Sequence, residues 1–194
     1  MKFDITMSHD ELINELKAGN KRYMNEENAY PSQDIERRKK LEDGQEPPAI
    51  VLSCADSRVA PELLFDRGLG ELFVVRVAGN VANTSSMASM EYAVAHCKST
   101  IIVVLGHEAC GAVNAAMAGG NNGRNLNHLL AHLAPAVHEC GASADTVDVV
   151  KKNVHNTIAD LMAHSSIIKD AVDGGKVKFV PAYYKLTGGE VEFL

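Results

Sequence analysis

Two short segments of the chain carry residue types that bind transition metals. Cys54 and Asp56 stand close together in one of them, and His107 and Cys110 stand close together in the other. Two thiolates and an imidazole are a ligand set typical of zinc, because zinc accepts sulfur and nitrogen in a tetrahedron whereas magnesium and calcium prefer oxygen. The residue types therefore predict a zinc site formed by Cys54, His107 and Cys110.

Asp56 determines whether such a site is structural or catalytic. Zinc with three protein ligands keeps a fourth position for water, whereas four protein ligands close the site. Arg58 follows two residues after Asp56, and a guanidinium can hold a carboxylate through two parallel hydrogen bonds. We therefore expect Asp56 to be a fourth, exchangeable ligand. The site is open while Arg58 holds Asp56, and it closes when that pair breaks.

The same cysteine and histidine residues also allow interpretations other than a zinc site. A lone buried Cys is usually a small apolar residue, but two metal-ligand pairs in matching positions favour a metal site. The chain has no Cys-x-x-Cys segment, which disfavours a thiol redox site. His128 and His132 lie one helical turn apart and suggest half of a second zinc site. Because no Glu follows His128, a polar helix face is the simpler interpretation.

Composition limits the class of protein. The chain has 194 residues, 46% of them apolar, which is enough for one sizeable core, so we expect a single domain over residues 1–194. The net charge of -6 and the absence of a long basic segment disfavour nucleic acid as a partner. No apolar run is long enough to span a membrane. We expect a soluble, cytoplasmic protein with no membrane partner.

Apolar runs and helical spacing predict the elements that position the two segments. Strands are predicted at 49–53, 72–77, 100–105 and 177–184, and such continuous apolar runs suit parallel strands covered on both faces. A capping box at Ser8 predicts a first helix to about Met24. Further helices are predicted at 84–96, 110–118, 126–139 and 144–164, and Pro135 should kink or split the third of these four. The core candidates of the helix at 84–96 are Met87, Met90, Tyr92, Ala93 and Val94.

The alternation of helix and strand predicts an α/β fold with a mostly parallel sheet. Cys54 directly follows the strand predicted at 49–53, and His107 and Cys110 follow the strand predicted at 100–105. In open α/β sheets, functional groups gather beyond the carboxyl ends of the strands. If these two strands are neighbours, the predicted zinc ligands converge.

The two segments and their surroundings resemble the β-class carbonic anhydrases. The resemblance covers residues 19–194 and is carried by segments 54–59, 70–80, 91–94 and 106–111. It implies reversible hydration of carbon dioxide to bicarbonate and a proton, by attack of a zinc hydroxide that the Asp56–Arg58 pair gates. It also implies a central, mostly parallel sheet of four strands plus a short edge strand, flanked by helices. A homodimer or tetramer is implied, in which residues 1–45 form an N-terminal helical arm that packs on a partner subunit.

The resemblance further implies a set of substrate-binding residues. Gln45 and the backbone amide of Gly111 match hydrogen-bond donors to substrate, and Phe73, Ala78 and Tyr92 match the walls of an apolar slot for carbon dioxide. The family often has the bulkier Val at the position of Ala78, which leaves the width of the slot open.

Two further positions bear on the fourth zinc position, and two other functions are compatible with the same zinc ligands. Val51 and Ser53 replace the Trp and Gly of a subgroup with a bicarbonate inhibition pocket, so the fourth zinc position is expected to be open near neutral pH. One rival is a hydrolase of carbonyl sulfide or carbon disulfide with the same zinc ligands. The other is a non-catalytic, zinc-stabilised binding protein in which Asp56 is a permanent ligand.

Overall fold

A five-stranded sheet forms the centre of the protein in the computed structural model, which describes residues 3–194. The strands are β1 (Ala49–Ser53), β2 (Leu72–Arg76), β3 (Ile101–His107), β4 (Lys178–Tyr184) and β5 (Val191–Phe193). The helices are α1 (His9–Met24), α2 (Ile35–Lys40), α3 (Pro61–Leu64), α4 (Thr84–His96), α5 (Gly111–Ala118), α6 (Arg124–Ala131), α7 (Ala134–Cys140), α8 (Thr146–His164) and α9 (Ser166–Asp173). A short 3₁₀ turn, Ala78–Asn80, follows β2.

The strand order is β2-β1-β3-β4-β5. The first four strands pair in parallel, and only the short edge strand β5 is antiparallel to its neighbour. The predicted α/β fold, with four mostly parallel strands and a short edge strand, is therefore confirmed. β1 and β3 are direct neighbours, as convergence of the predicted ligands requires.

Alternating residues of the strands point to two different helical layers. Val51 and Val103 lie in the core on the side of α1 and α3, whereas Leu52 and Val104 lie in the core on the side of α4, α8 and α9. Every residue of β1 and β3 is buried, which explains why both read as continuous apolar runs. No helix within residues 3–194 is long and apolar enough to cross a bilayer.

α1 begins at the predicted capping box, in which Ser8 accepts a hydrogen bond from the backbone of Glu11 and the Glu11 carboxylate accepts one from the backbone of Ser8. Leu12 and Leu16 are fully buried in the core of their own chain. The first helix thus packs on its own sheet. Contact of segment 1–45 with a partner stays a prediction, and residues 1 and 2 lie outside the described part of the chain.

Some helices differ from the predictions for physical reasons. Pro135 lies in the first turn of α7, so the predicted helix at 126–139 is split into α6 and α7. The short helices α2, α3 and α9 were not predicted. Among the core candidates of α4, Met90 and Ala93 are buried as expected. Tyr92 was wrongly assigned to the core, because its position on α4 leaves it 52% exposed.

Candidate metal centre and active site

The carboxyl ends of β1 and β3 bring three potential metal ligands together. Cys54 directly follows β1, His107 is the last residue of β3, and Cys110 is the N-cap of α5. Ala109 has a φ of 53°, which reverses the chain between His107 and Cys110. The ligand atoms of the three side chains lie within 4.8 Å of one another, and all three residues are buried.

The imidazole of His107 is fixed in one tautomer by the backbone carbonyl of the next residue, Glu108. Its Nδ1 lies 2.8 Å from the carbonyl oxygen of Glu108, and because a carbonyl can only accept, Nδ1 carries the proton. Nε2 is buried and has no hydrogen-bond partner in the described chain. Its lone pair is therefore available to a metal ion, in the arrangement typical of histidine ligands.

The sulfur of Cys54 is surrounded by hydrogen-bond donors. The Cys110 thiol lowers the pKa of Cys54 to about 4 by donating to its sulfur, and the same contact raises the pKa of Cys110. The backbone N–H of Gly79 also donates to the Cys54 sulfur, at 3.3 Å. The N–H groups of Ala112 and Val113, in the first turn of α5, act on Cys110 and oppose the rise in its pKa. The surroundings thus favour the thiolate of Cys54, the form in which cysteine binds metals.

These three residues fit a metal ion. An orphaned, buried imidazole nitrogen beside two sulfurs is costly unless something binds there, and two thiolates with one neutral imidazole suit a soft or borderline ion. Within residues 3–194, this is the one group of three or more metal-ligating side chains at such short separations. His128 and His132 contact each other edge to face, with 5.7 Å between ring centroids, and have no third ligand.

Asp56 lies beside this group but is held by Arg58. The Arg58 side chain donates from Nε to Oδ1 at 2.9 Å and from Nη2 to Oδ2 at 2.8 Å, and its backbone N–H donates to Oδ1 at 2.9 Å. The Arg58 side-chain hydrogen bonds hold the pKa of Asp56 well below its usual range. Among the described residues, the carboxylate is not a member of the metal-ligating group.

A second arginine fixes the loop that carries Cys54 and Asp56. Arg76, the last residue of β2, donates from Nε to the Cys54 carbonyl at 3.1 Å and from Nη2 to the Asp56 carbonyl at 2.6 Å. Arg76 was part of the sequence pattern, but no role was predicted for it. A role for Arg76 in the site could have been predicted from its position at the carboxyl end of a strand next to β1, where functional groups gather.

Only some of the predicted substrate-binding residues lie near these ligands in one chain. Gly111 is the first residue of α5 and follows Cys110 directly, so its N–H belongs to a first turn that has no intrahelical acceptor. Gly111 is exposed, and a Cβ added there would meet nothing within 4 Å. Ala78 precedes Gly79 in the 3₁₀ turn next to Cys54.

Gln45, Phe73 and Tyr92 lie away from these ligands within the same chain. Phe73 pairs with Ile50, four residues before Cys54, so it lies about 13 Å back along the sheet. The Phe73 ring instead contacts Tyr92, with 6.4 Å between centroids. Gln45 is exposed before the amino end of β1, in a cavity of about 870 Å³ that has no metal-ligating residue of the group in its lining.

Comparison with known proteins identifies the family. The family model described as carbonic anhydrase matches residues 49–191. The chain belongs to the β-carbonic anhydrase family. It is 42% identical over 181 residues to carbonic anhydrase 2 of Mycobacterium tuberculosis, covering 90% of this chain and 87% of that protein. It is 40% identical over 185 residues to a carbonic anhydrase of Mycolicibacterium smegmatis, covering 91% and 89% of the two chains.

Solved structures agree with this assignment. A tetrameric β-carbonic anhydrase of Sordaria macrospora superposes with a TM-score of 0.74 at 25% identity, covering 96% of this chain and 95% of that one. A β-carbonic anhydrase of Aspergillus fumigatus shares the fold with a TM-score of 0.76 at 24% identity, covering 95% and 89%. This β-carbonic anhydrase is therefore a carbonate dehydratase of a metalloenzyme family whose general reaction is carbon dioxide hydration.

Proposed function

We propose that this β-carbonic anhydrase hydrates carbon dioxide at a zinc ion held by Cys54, His107 and Cys110, and that the Asp56–Arg58 pair gates the site. The main support for the proposal is the set of three hydrogen bonds that Arg58 donates to Asp56, because they hold the carboxylate outside the metal-ligating group. A three-ligand zinc site of this kind retains a fourth position for solvent.

Bound zinc supplies a Lewis acid that makes water acidic enough to be a nucleophile near neutral pH. The residues of the chain supply orientation. Asp56 stays ionised beside Arg58, so it accepts a hydrogen bond only from a group that carries a proton and thereby selects its orientation. The N–H of Gly111 donates to an oxygen of the substrate, and Ala78 contributes apolar surface next to the ligands.

We further propose that the slot is completed by a second copy of the chain, in a homodimer or a larger homo-oligomer. Phe73 lies about 13 Å back along the sheet from the metal ligands of its own chain. The Tyr92 ring contacts Phe73, and Gln45 lies in a cavity whose lining includes none of the ligands. β2 is an edge strand whose residues are only half-buried, and the Tyr92 ring beside it is 52% exposed. Such a surface suits a symmetric interface, and the β-carbonic anhydrase of Sordaria macrospora is a tetramer.

Stopped-flow hydration of carbon dioxide tests the main proposal. Zinc-loaded protein should accelerate the reaction, and protein stripped of metal should not. Carbonyl sulfide and carbon disulfide should be turned over more slowly than carbon dioxide. A rate that equals the buffer blank, or a clear preference for either sulfur compound, would contradict the proposal.

Arg58→Ala tests the gate. Without the guanidinium fork, Asp56 is free to occupy the fourth position, so hydration should fall about 10- to 100-fold while zinc content by atomic absorption stays unchanged. Arg38→Ala, on the exposed surface of α2, is the matched control and should leave the rate as in the unmodified protein. Full activity of Arg58→Ala at unchanged zinc content would refute the gate.

A further inference from the structure

Helix α8 lies directly against β3 behind the metal-ligating group. A Cβ atom at Gly106, the residue before His107, would lie only 2.7 Å from Cγ1 of Val150 and 2.9 Å from Cγ2 of Val154. The buried stripe of α8 is mostly apolar, but it includes Asn153 and Thr157, each only 2% exposed. A buried polar side chain is costly unless it is hydrogen-bonded, so these two residues require an explanation.

Both side chains bind the 3₁₀ turn that follows β2. Asn153 donates from Nδ2 to the carbonyl oxygen of Gly79 at 2.9 Å, and the Thr157 hydroxyl donates to the carbonyl oxygen of Asn80 at 3.4 Å. Gly79 has a φ of 70°, a conformation that L-residues rarely adopt. Its N–H donates to the sulfur of Cys54 at 3.3 Å. Asn153 is thus connected to a predicted metal ligand through one residue.

We propose that Asn153 is a positioning residue that sets how strongly the Cys54 sulfur donates electrons to the metal. The Gly79 carbonyl and the Gly79 N–H lie in the two peptide planes that meet at the Gly79 Cα. By holding the carbonyl, Asn153 restricts rotation of Gly79 and so helps to orient its N–H toward Cys54. The resulting N–H···S bond withdraws electron density from the thiolate, and partners of metal ligands tune metal affinity in this way. The inference rests on the proposed function, because it takes Cys54 as a metal ligand.

Thr157 offers a matched comparison one helical turn away. It is as buried as Asn153 and also binds a carbonyl of the 3₁₀ turn. The N–H of its partner Asn80, however, donates to the Val77 carbonyl at 2.9 Å and not to a sulfur. Loss of the Thr157 hydroxyl should therefore weaken the turn without changing the hydrogen bond to Cys54.

The experiment uses cobalt-substituted protein, because thiolate-to-cobalt charge-transfer bands report the electron density on the sulfurs. In Asn153→Leu, which removes the donor and keeps the branched shape, we expect the band to move to longer wavelength, because the sulfur becomes a stronger donor. We also expect cobalt to dissociate about ten-fold faster into a chelator, because the ligand is no longer held in a fixed orientation. Thr157→Val should keep the band position. Asn20→Leu, which removes another buried amide that donates to backbone carbonyls far from the site, should lower the thermal midpoint and also keep the band.

The possible results distinguish a failure of this inference from a failure of the proposed function. If the unmodified protein shows no thiolate charge-transfer band with cobalt, the assignment of Cys54 as a ligand fails, and the inference fails with it. If the band is present but Asn153→Leu leaves both its position and the dissociation rate unchanged, the role of Asn153 alone is overturned. Asn153→Ala serves the same comparison if Asn153→Leu does not fold, since a smaller side chain avoids overpacking.

Discussion

Arg76 connects two backbone carbonyls of the loop that carries the predicted ligand Cys54 and the predicted gate residue Asp56. Its guanidinium reaches both oxygens from the end of β2, so a single side chain fixes the path of that loop. A lysine at this position has one compact ammonium group on a flexible stem and cannot reproduce the planar fork. The geometry of the site thus depends on a residue that does not belong to the metal-ligating group.

For Arg76→Lys we expect carbon dioxide hydration to fall about ten-fold, because the loop loses one of its two fixed points and Cys54 and Asp56 shift. Zinc should also dissociate faster into a competing chelator, which can be followed with a colorimetric dye. Arg38→Lys, an exposed substitution of the same kind on α2, is the control. Equal rates for the two variants would show that the Arg76 fork has no role in the site.

At the scale of single residues, the sequence was sufficient to predict the roles that follow directly from the type of side chain. Cysteine and histidine at two strand ends indicated a metal site, and Asp56 with Arg58 indicated an ion pair. The hydrogen bonds of Asn153 and Gly79, and the roles proposed for them, were not predictable, because both depend on the packing of α8 behind β3, which no local spacing encodes. Gln45, Phe73 and Tyr92 were predicted from resemblance alone, and the strand register places Phe73 about 13 Å back along the sheet from the end of β1.

At the scale of elements, the contact between α8 and β3 depends on the missing side chain of Gly106. In Gly106→Ala the added methyl group would overlap Val150 and Val154, so we expect a loss of about 1–3 kcal/mol in the free energy of unfolding. Urea denaturation measures the effect. The double variant Gly106→Ala with Val150→Ala should recover part of that loss, because it removes one of the two overlaps. Absence of any recovery would mean that the strain arises elsewhere.

Asp66 lies in the loop after α3 and forms hydrogen bonds with the end of α1 and with the segment between α1 and α2. Its carboxylate is buried and accepts hydrogen bonds from the Arg22 side chain and from the backbone N–H groups of Ala29 and Tyr30. Burial alone would raise the pKa of Asp66, but these hydrogen bonds outweigh it and lower the pKa. The ionised carboxylate therefore stabilises the fold above its unfolded-state pKa, about 3.9, and this contribution disappears as the pH falls through the lower folded-state pKa.

In Asp66→Asn we expect the free energy of unfolding to fall by about 3 kcal/mol at neutral pH, since Arg22 loses a buried partner. The difference from the unmodified protein should shrink as the pH is lowered below about 4. Urea titrations between neutral and acidic pH measure it, with the exposed Asp43→Asn as control. A difference that is the same at every pH would contradict the assignment to the carboxylate charge.

The element pattern itself was largely predictable. Long apolar runs and the capping box indicated β1 to β4 and α1 within a residue or two at most ends, because burial on both faces and cap chemistry leave a strong local signal. The short helices α2, α3 and α9 were missed, because a helix of one or two turns depends mainly on tertiary contacts.

At the scale of the whole molecule, a slot shared between two copies predicts that two inactive variants can restore each other. Cys54→Ser removes a proposed metal ligand, and Gln45→Ala removes a group that we assign to the partner's site. In a 1:1 mixture that has exchanged subunits, each mixed dimer contains one complete site, so about a quarter of the unmodified activity should return.

The control is a mixture of Cys54→Ser with Arg58→Ala, whose defects lie in the same half of the slot, so its mixed dimers contain no complete site. Native mass spectrometry verifies that the subunits have exchanged in both mixtures. If exchange occurs and the mixture of Cys54→Ser and Gln45→Ala stays at the sum of its parents, each chain forms its own slot.

The contacts of Asn20 have a consequence for the synthesis of the protein. This buried side chain in α1 donates to the Gly189 carbonyl and accepts from the Val191 N–H, 169 and 171 residues later in the chain. During translation, therefore, the first helix emerges from the ribosome long before the hairpin of β4 and β5, which completes its binding site.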